Sequence, residues 1–421
     1  MTKSEPEFIV GYIGAHLRTY YAEEYNLFTS SVEGLQRLGE ELGFHVVFTE
    51  TPIDCASEAS IAIDNMISKG VDFVLLHHAT FLMGDIVMEI AKRRIPLGLW
   101  THPEPTSEGE ILFNGFVSID MSASIIRRYL RDESIGYKWF YGDTSHHWFR
   151  DRLATTVTAL RGKKALHNGS IGLIGGIAPT FYNFTFDERR MADLMGVGVG
   201  HHELKEIFDR ISEVDTTRIR KIGENIRSRT GNLVEVSQRD LDITSSIYAA
   251  LDDFASDHHY SALAVSDWPA FQAELDIHPG FAFSWLEDQK GVPVASEGDV
   301  MGAATMILMR NIALEEAYLL DMAAIDTDKE AMLMWHCGGS PLGLANDAGV
   351  RCLNHAMLGR KVPDSRRTGA VADFVFRNGP VTVSRLSDDG HVMFVFDAEV
   401  VSTDSVGYEG CRGWITNFRA D

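Results

Sequence analysis

Val71-Asp-Phe-Val-Leu-Leu76, running into His77-His78, is the stretch that decides the fold. Its near-continuous apolar character, without alternation, marks a strand buried on both faces. Parallel sheets covered by helices require such strands. The same rhythm repeats outward. Phe8-Ile-Val-Gly-Tyr-Ile13 leads to a helically spaced segment from Tyr25 to Leu42, stopped at Gly43. Phe44-His-Val-Val-Phe48 leads to a helix from Ala56 to Lys69, stopped at Gly70. A helix over Ile86 to Arg93 then leads to Ile95-Pro-Leu-Gly-Leu-Trp100. Strand and helix alternate, which predicts a doubly wound α/β domain over residues 1–163. Polar groups gather at its strand ends: His16 and Arg18, His77 and His78, Thr101 and His102. Read one at a time, each is a satisfied loop residue; their recurrence at the ends where such sheets bind ligands argues for more.

The pattern restarts after Lys163. Gly169-Ser-Ile-Gly-Leu-Ile-Gly-Gly176 is a strand entering a glycine-rich turn. It matches neither a dinucleotide fingerprint nor a phosphate loop, so its glycines predict a tight turn or a close backbone approach. Helices over Glu188–Met195 and Ile243–Phe254 and strands at Asn232–Val236 and Ser261–Ser266 complete a second α/β domain, 164–313. From about Arg367 apolar and polar residues alternate in Ala370–Phe376, Val381–Arg385, His391–Phe396 and Glu399–Ser402, with turns at Arg377-Asn-Gly379 and Asp388-Asp-Gly390. That texture predicts an antiparallel meander in a third domain, 314–421. The expected architecture is two consecutive doubly wound, Rossmann-like domains followed by a β-rich, barrel-like C-terminal domain.

A chain of 421 residues exceeds one ordinary core, in agreement with that division. The formal charge of −22 (38 basic against 60 acidic residues) argues against nucleic acid and anionic membranes as partners. Four scattered cysteines, Cys55, Cys337, Cys352 and Cys411, show no C-x-x-C spacing and suggest reduced thiols. With no apolar core in Met1–Glu7 and no run near about 20 apolar residues, a cytoplasmic location is expected.

Chemistry concentrates in Pro293-Val-Ala-Ser-Glu-Gly-Asp-Val-Met-Gly302, then Asp321, then Trp335-His-Cys-Gly338. Glu297 ends a short apolar run, Asp321 follows Leu319 and Leu320, and His336 ends Ala331-Met-Leu-Met-Trp335. Two carboxylates and an imidazole at the ends of successive elements suit Mn²⁺, with Mg²⁺ or Co²⁺ as alternatives, better than a soft metal. Taken singly, Glu297 is a helix-start charge, Asp321 belongs to a solvated set with Asp326 and Asp328, and His336 is a buried hydrogen-bonded histidine. A pair of acids beside a cation can move protons between adjacent carbons and their oxygens.

Glu297-Gly-Asp-Val, Gly302 and Asp321 resemble the metal-site region of the L-arabinose and L-fucose isomerases. The opening strand, the region of Asn114, Gly136-Tyr-Lys-Trp-Phe-Tyr-Gly142, Gly172–Gly175 and Trp335–Gly338 extend the resemblance over nearly the whole chain. It implies a metal-dependent aldose–ketose isomerase working through an enediolate. Glu297 and Asp321 would be both Mn²⁺ ligands and the acid/base pair, and His336 a third ligand. It further implies a homotrimer or homohexamer whose sugar site is closed by a neighbouring subunit, with His16, Arg18, Trp100, His102 and Asn114 as substrate-binding residues. The family's late histidine has no counterpart in Trp414–Asp421, and His391 does not match it. Arg18 suits an anionic substituent, so a sulfo-sugar is a further expectation. The rival reading is a non-catalytic sugar-binding or sensor protein, which paired α/β domains also build. A degenerate isomerase with a regulatory role is a third.

Overall fold

Strand β1 (Ile9–Ala15) shows why the first domain forms. Val10 and Tyr12 face one helical layer while Ile13 and Ala15 face the other, and all four are fully buried. The computed structural model describes residues 8–131, 135–230, 233, 236–355, 369–403 and 406–419. The chain divides into two units, Met1–Arg161 and Gly162–Asp421.

In the first unit, β1 is joined by β2 (His45–Phe48), β3 (Phe73–His78), β4 (Leu97–Thr101) and β5 (Tyr137–Tyr141) in a parallel sheet of order β2-β1-β3-β4-β5. Helices α1 (Leu27–Leu42) and α5 (His147–His167) cover one face; α2 (Ala56–Ser68), α3 (Gly84–Ala91) and α4 (Gly115–Tyr129) cover the other. The expected strands and helices are present with ends moved by a few residues. β5, α4 and α5 escaped the sequence reading. In α5, charged residues are spread around the helix and blur its apolar stripe.

The second unit holds two sheets. One is parallel, of order β7-β6-β8-β9, from β6 (Ser170–Ile174), β7 (Gly198–His202), β8 (Ala262–Val265) and β9 (Val294–Ala295). Around it lie α6 (Glu188–Met195), α7 (Leu204–Glu213), α8 (Thr216–Arg229), α9 (Gln238–Asp257), α10 (Ala270–Leu275), α11 (Gly280–Lys290) and α12 (Val300–Ala313). The strand expected at Asn232–Val236 falls largely on Asn232, Val234 and Glu235, outside the described residues. The other sheet contains β10 (Asp321–Asp326), β11 (Ala331–His336), β12 (Arg351–Asn354), β13 (Gly369–Val375), β14 (Gly379–Ser387), β15 (Val392–Val401) and β16 (Cys411–Arg419).

This sheet corrects the meander. β14 and β15 form the expected hairpin and β16 continues it antiparallel, but β13 pairs with β16 in parallel through Phe374 and Val375. The two strands expected at His391–Phe396 and Glu399–Ser402 are one. The break at Asp397-Ala398 is absorbed as a register shift against β16, so the strand runs through it. One core of the unit unites residues of α9, α11, β8 and β13, including Phe254, Phe281, Leu263 and Phe374.

Candidate active site

Parallel sheets place ligand chemistry beyond the carboxyl ends of their strands. In the second unit those ends supply Gly175 and Gly176 after β6, Asp267 after β8 and Glu297 after β9. Glu297 sits in the short turn Ser296–Gly298, in left-handed backbone at φ 63°, ψ 13°. Its amide donates to Asp267 Oδ1 at 2.7 Å, and its carbonyl accepts from Ala178 N at 2.9 Å. Gly298 follows at φ 73°, and a Cβ there would lie 2.2 Å from the Gly176 carbonyl oxygen. Gly298 therefore serves a close approach of two backbones, while Gly175 and Gly176, at φ 81° and 71°, serve the tight turn. Asp299 then caps α12 by accepting from Gly302 N at 2.8 Å, and Arg385 Nη2 donates to its Oδ1 at 2.8 Å. That pairing removes Asp299 from the free carboxylates of the site.

Asp321 is the first residue of β10 and His336 the last of β11. All three expected residues thus stand at element ends. They share one electrostatic environment. Burial, then the charges of Asp267, Asp321 and Asp299, push the Glu297 carboxyl up to about 7 against the attraction of His336. Burial opposes charge on the His336 imidazole. Cys337, Asp321 and the Gly338 carbonyl outweigh it and push that pKa up to about 10. Burial likewise raises the pKa of Asp267. Among the described residues, no lysine or arginine pairs with Glu297, Asp321 or Asp267.

In donor type alone, this set suits a hard divalent cation. Among the described residues the two carboxylates have no lysine or arginine partner, and His336 donates Nδ1–H to Gly338 O, so it would bind a cation through Nε2. Mn²⁺, Mg²⁺ and Co²⁺ all suit such oxygen and imidazole donors. The fit is electrostatic more than geometric. The trio is not among the groups whose donor atoms all lie within 4.8 Å of one another, whereas His278, Cys337 and His355 are.

The tighter group nevertheless does not read as a metal site. His278 Nδ1 accepts from Gly280 N at 3.0 Å, so its Nε2 carries the hydrogen. That N–H faces Cys337 Sγ at 3.8 Å and Asp267 Oδ2 at 3.9 Å, as a donor. His278 and His355 are both buried, with ring centroids 4.4 Å apart. Asp267, His278 and His355 were missed from sequence. Only Asp267 carried a signal, since it closes the run Ser261–Ser266 at a strand's carboxyl end.

The residues expected to bind substrate all lie in the first unit, in different surroundings. Trp100 is fully buried in the core, its indole N–H donating to Gly142 O at 2.8 Å, which leaves it no surface for a sugar. His77 stacks on Trp100 and joins Tyr12 OH (2.8 Å) to His102 Nδ1 (2.9 Å) in a buried chain. Burial lowers the pKa of His102 to about 4, opposed by Asp143, so it is neutral. His78 points to the opposite face, against Ser118 Oγ at 2.8 Å. His16 lines a cavity of about 250 Å³ at the end of β1 with Glu23, Asn26 and Phe28. Arg18 is mostly exposed and pairs through Nε with Asp54 at 3.0 Å. Asn114 Nδ2 donates to Tyr20 OH at 3.3 Å.

No family model matches the chain. It is 25% identical over 367 residues to proteins named sulfoquinovose isomerase from Priestia aryabhattai and Priestia megaterium, a match covering 85% of this chain and 78% of each relative. The sulfoquinovose isomerase of Alkalicoccus urumqiensis matches at 25% over 341 residues, 80% of this chain and 74% of that one. A solved ABC transporter solute-binding protein from Agrobacterium vitis, bound with α-D-tagatopyranose, aligns at 11% identity over 74% of this chain and 91% of its own. Its TM-score of 0.20 supports no inference about fold or function. The similarity that carries weight is to isomerases, and it runs along most of the chain.

Proposed function

We propose that this chain is a metal-dependent aldose–ketose isomerase acting on a sugar that bears a sulfonate. The observation that carries the reading is the setting of Glu297: a carboxyl near neutral pKa, beside Asp321 and His336, in a chain whose relatives are named sulfoquinovose isomerases. Isomerisation moves hydrogen from C2 to C1 and from the C2 oxygen to the C1 oxygen. A carboxyl with a pKa of about 7 can both accept and return a carbon-bound proton at neutral pH. Glu297 is assigned that step, and Asp321 the proton exchanged between the oxygens. Glu297, Asp321 and His336 would hold the cation, whose chemistry when bound is to polarise the sugar's C1 and C2 oxygens.

Arg18 is assigned to the sulfonate. Its side chain is open to solvent even while paired with Asp54, so its guanidinium is accessible to an oxyanion. His16, His102 and Asn114 are assigned to sugar hydroxyls; like Arg18, they would be contributed by a neighbouring subunit. A trimer or hexamer is part of the proposal; light scattering that found a fully active monomer would remove it.

The deciding experiment incubates the protein and Mn²⁺ in D₂O with sulfoquinovose and with neutral aldoses, following the C2 proton by NMR. Exchange and ketose formation are expected with the sulfonated sugar. Conversion of neutral sugars alone would discard the sulfonate assignment, and no conversion at full metal occupancy would discard the isomerase.

A further inference from the structure

Glu297 occupies backbone that an ordinary residue avoids, and the reason lies in what grips it. Left-handed φ at a non-glycine position persists only where the surroundings hold it. Here the restraint is specific. The Glu297 N–H points at Asp267 Oδ1, 2.7 Å away. Asp267 is 3% exposed, lies just past β8 and has no lysine or arginine partner among the described residues. A buried carboxylate without a cation is expensive to keep. Its oxygens are instead used locally: Oδ1 on the Glu297 amide, and Oδ2 facing the His278 Nε2–H at 3.9 Å. The side chain thus ties the end of β8 to the turn that follows β9, across the carboxyl edge of the parallel sheet.

We propose that Asp267 is a positioning residue for Glu297. Its Oδ1 holds the Glu297 amide and so fixes the left-handed turn that aims the carboxylate at the site shared with Asp321 and His336. Asp267 acts through Glu297 and touches no reacting atom. The role in turnover rests on the isomerase reading above; the structural restraint does not.

Asp267→Asn retains an oxygen acceptor of the same size, whereas Asp267→Ala removes it. The first readout is amide hydrogen exchange of the segment 294–300, which needs no activity. Exchange at Glu297 should be slow in the wild type and in Asp267→Asn, and at least tenfold faster in Asp267→Ala. The second readout is kinetic. A catalytic group displaced by about 1 Å can lose about 100-fold in rate, so Asp267→Ala should lose about that in kcat with KM little changed. Asp267→Asn should stay within about tenfold of the wild type. Equal exchange in Asp267→Ala and the wild type would overturn the proposal. So would an Asp267→Asn that folds but loses both protection and activity, since charge would then matter and the acceptor would not. Should Asp267→Ala fail to fold, the Asn variant alone still decides. Should the wild type convert no sugar, the isomerase reading fails while hydrogen exchange still tests the restraint.

Discussion

Asp321 stands directly opposite Trp335 where β10 pairs with β11, so His336 is one residue beyond its cross-strand partner. Successive residues of a strand point to opposite faces. Asp321 is accordingly exposed while His336 is 7% exposed, although they are near enough for Asp321 to raise the imidazole pKa. This relationship explains why the trio shares a field without sharing a tight shell. It also separates the two carboxylates: Glu297 is half-buried on a tight turn, and Asp321 begins an exposed strand.

That separation gives the first prediction. Glu297→Gln should abolish isomerisation through kcat at full Mn²⁺ occupancy, because an amide keeps the shape but carries no exchangeable acid near neutral pH. Asp321→Asn should also lose kcat. Steady-state rates measured while Mn²⁺ is raised to saturation check both. If Asp321→Asn recovers on saturation, Asp321 is a ligand only. A Glu297→Gln enzyme turning over near the wild-type rate would remove Glu297 from proton transfer.

The fold was legible where burial forces a pattern. Val71–Leu76 lies between two helical layers and could be little else. Element ends carrying Glu297, Asp321 and His336 were legible for the same reason, since each closes an apolar run. What stayed hidden depended on tertiary contact. Trp100 reads as a strand-end aromatic able to meet a substrate, yet it is buried by α5 and bonded to the Gly142 carbonyl, both remote in sequence. His278 and His355 sit in no periodic segment, and only folding brings them together. The parallel pairing of β13 with β16 joins strands 36 residues apart, from Val375 to Cys411, so no local turn announced it.

The second prediction concerns protons released by metal. With pKa values of about 7 at Glu297 and about 10 at His336, both groups hold protons at pH 7 in the metal-free protein, Glu297 in part. Ligation requires the deprotonated forms, so Mn²⁺ binding should release about one to two protons at pH 7. Apparent affinity should rise with pH between about 6 and 8. Titration calorimetry in buffers of different ionisation enthalpy measures the count. Binding with no proton release would place the ion on other residues.

The last prediction lies away from the site. Glu287, on α11, is 1% exposed, and neither of its side-chain oxygens has a hydrogen-bond partner among the described residues. Burial, with Glu316 and Asp288 adding to it against Arg310, raises its pKa well above the ordinary 4.5. The sign follows directly. Above about pH 4.5 the unfolded chain sheds this proton while the folded chain keeps it, so Glu287 makes the protein lose stability as pH rises towards the folded pKa. Glu287→Gln has nearly the same shape and no proton to shed. It should match the wild type near pH 4 and be more stable at pH 8. Denaturant unfolding of both proteins at the two pH values checks this. A stability difference that does not widen between pH 4 and pH 8 would mean that Glu287 is ionised in the folded core, which a buried carboxylate without a hydrogen-bond partner should not tolerate.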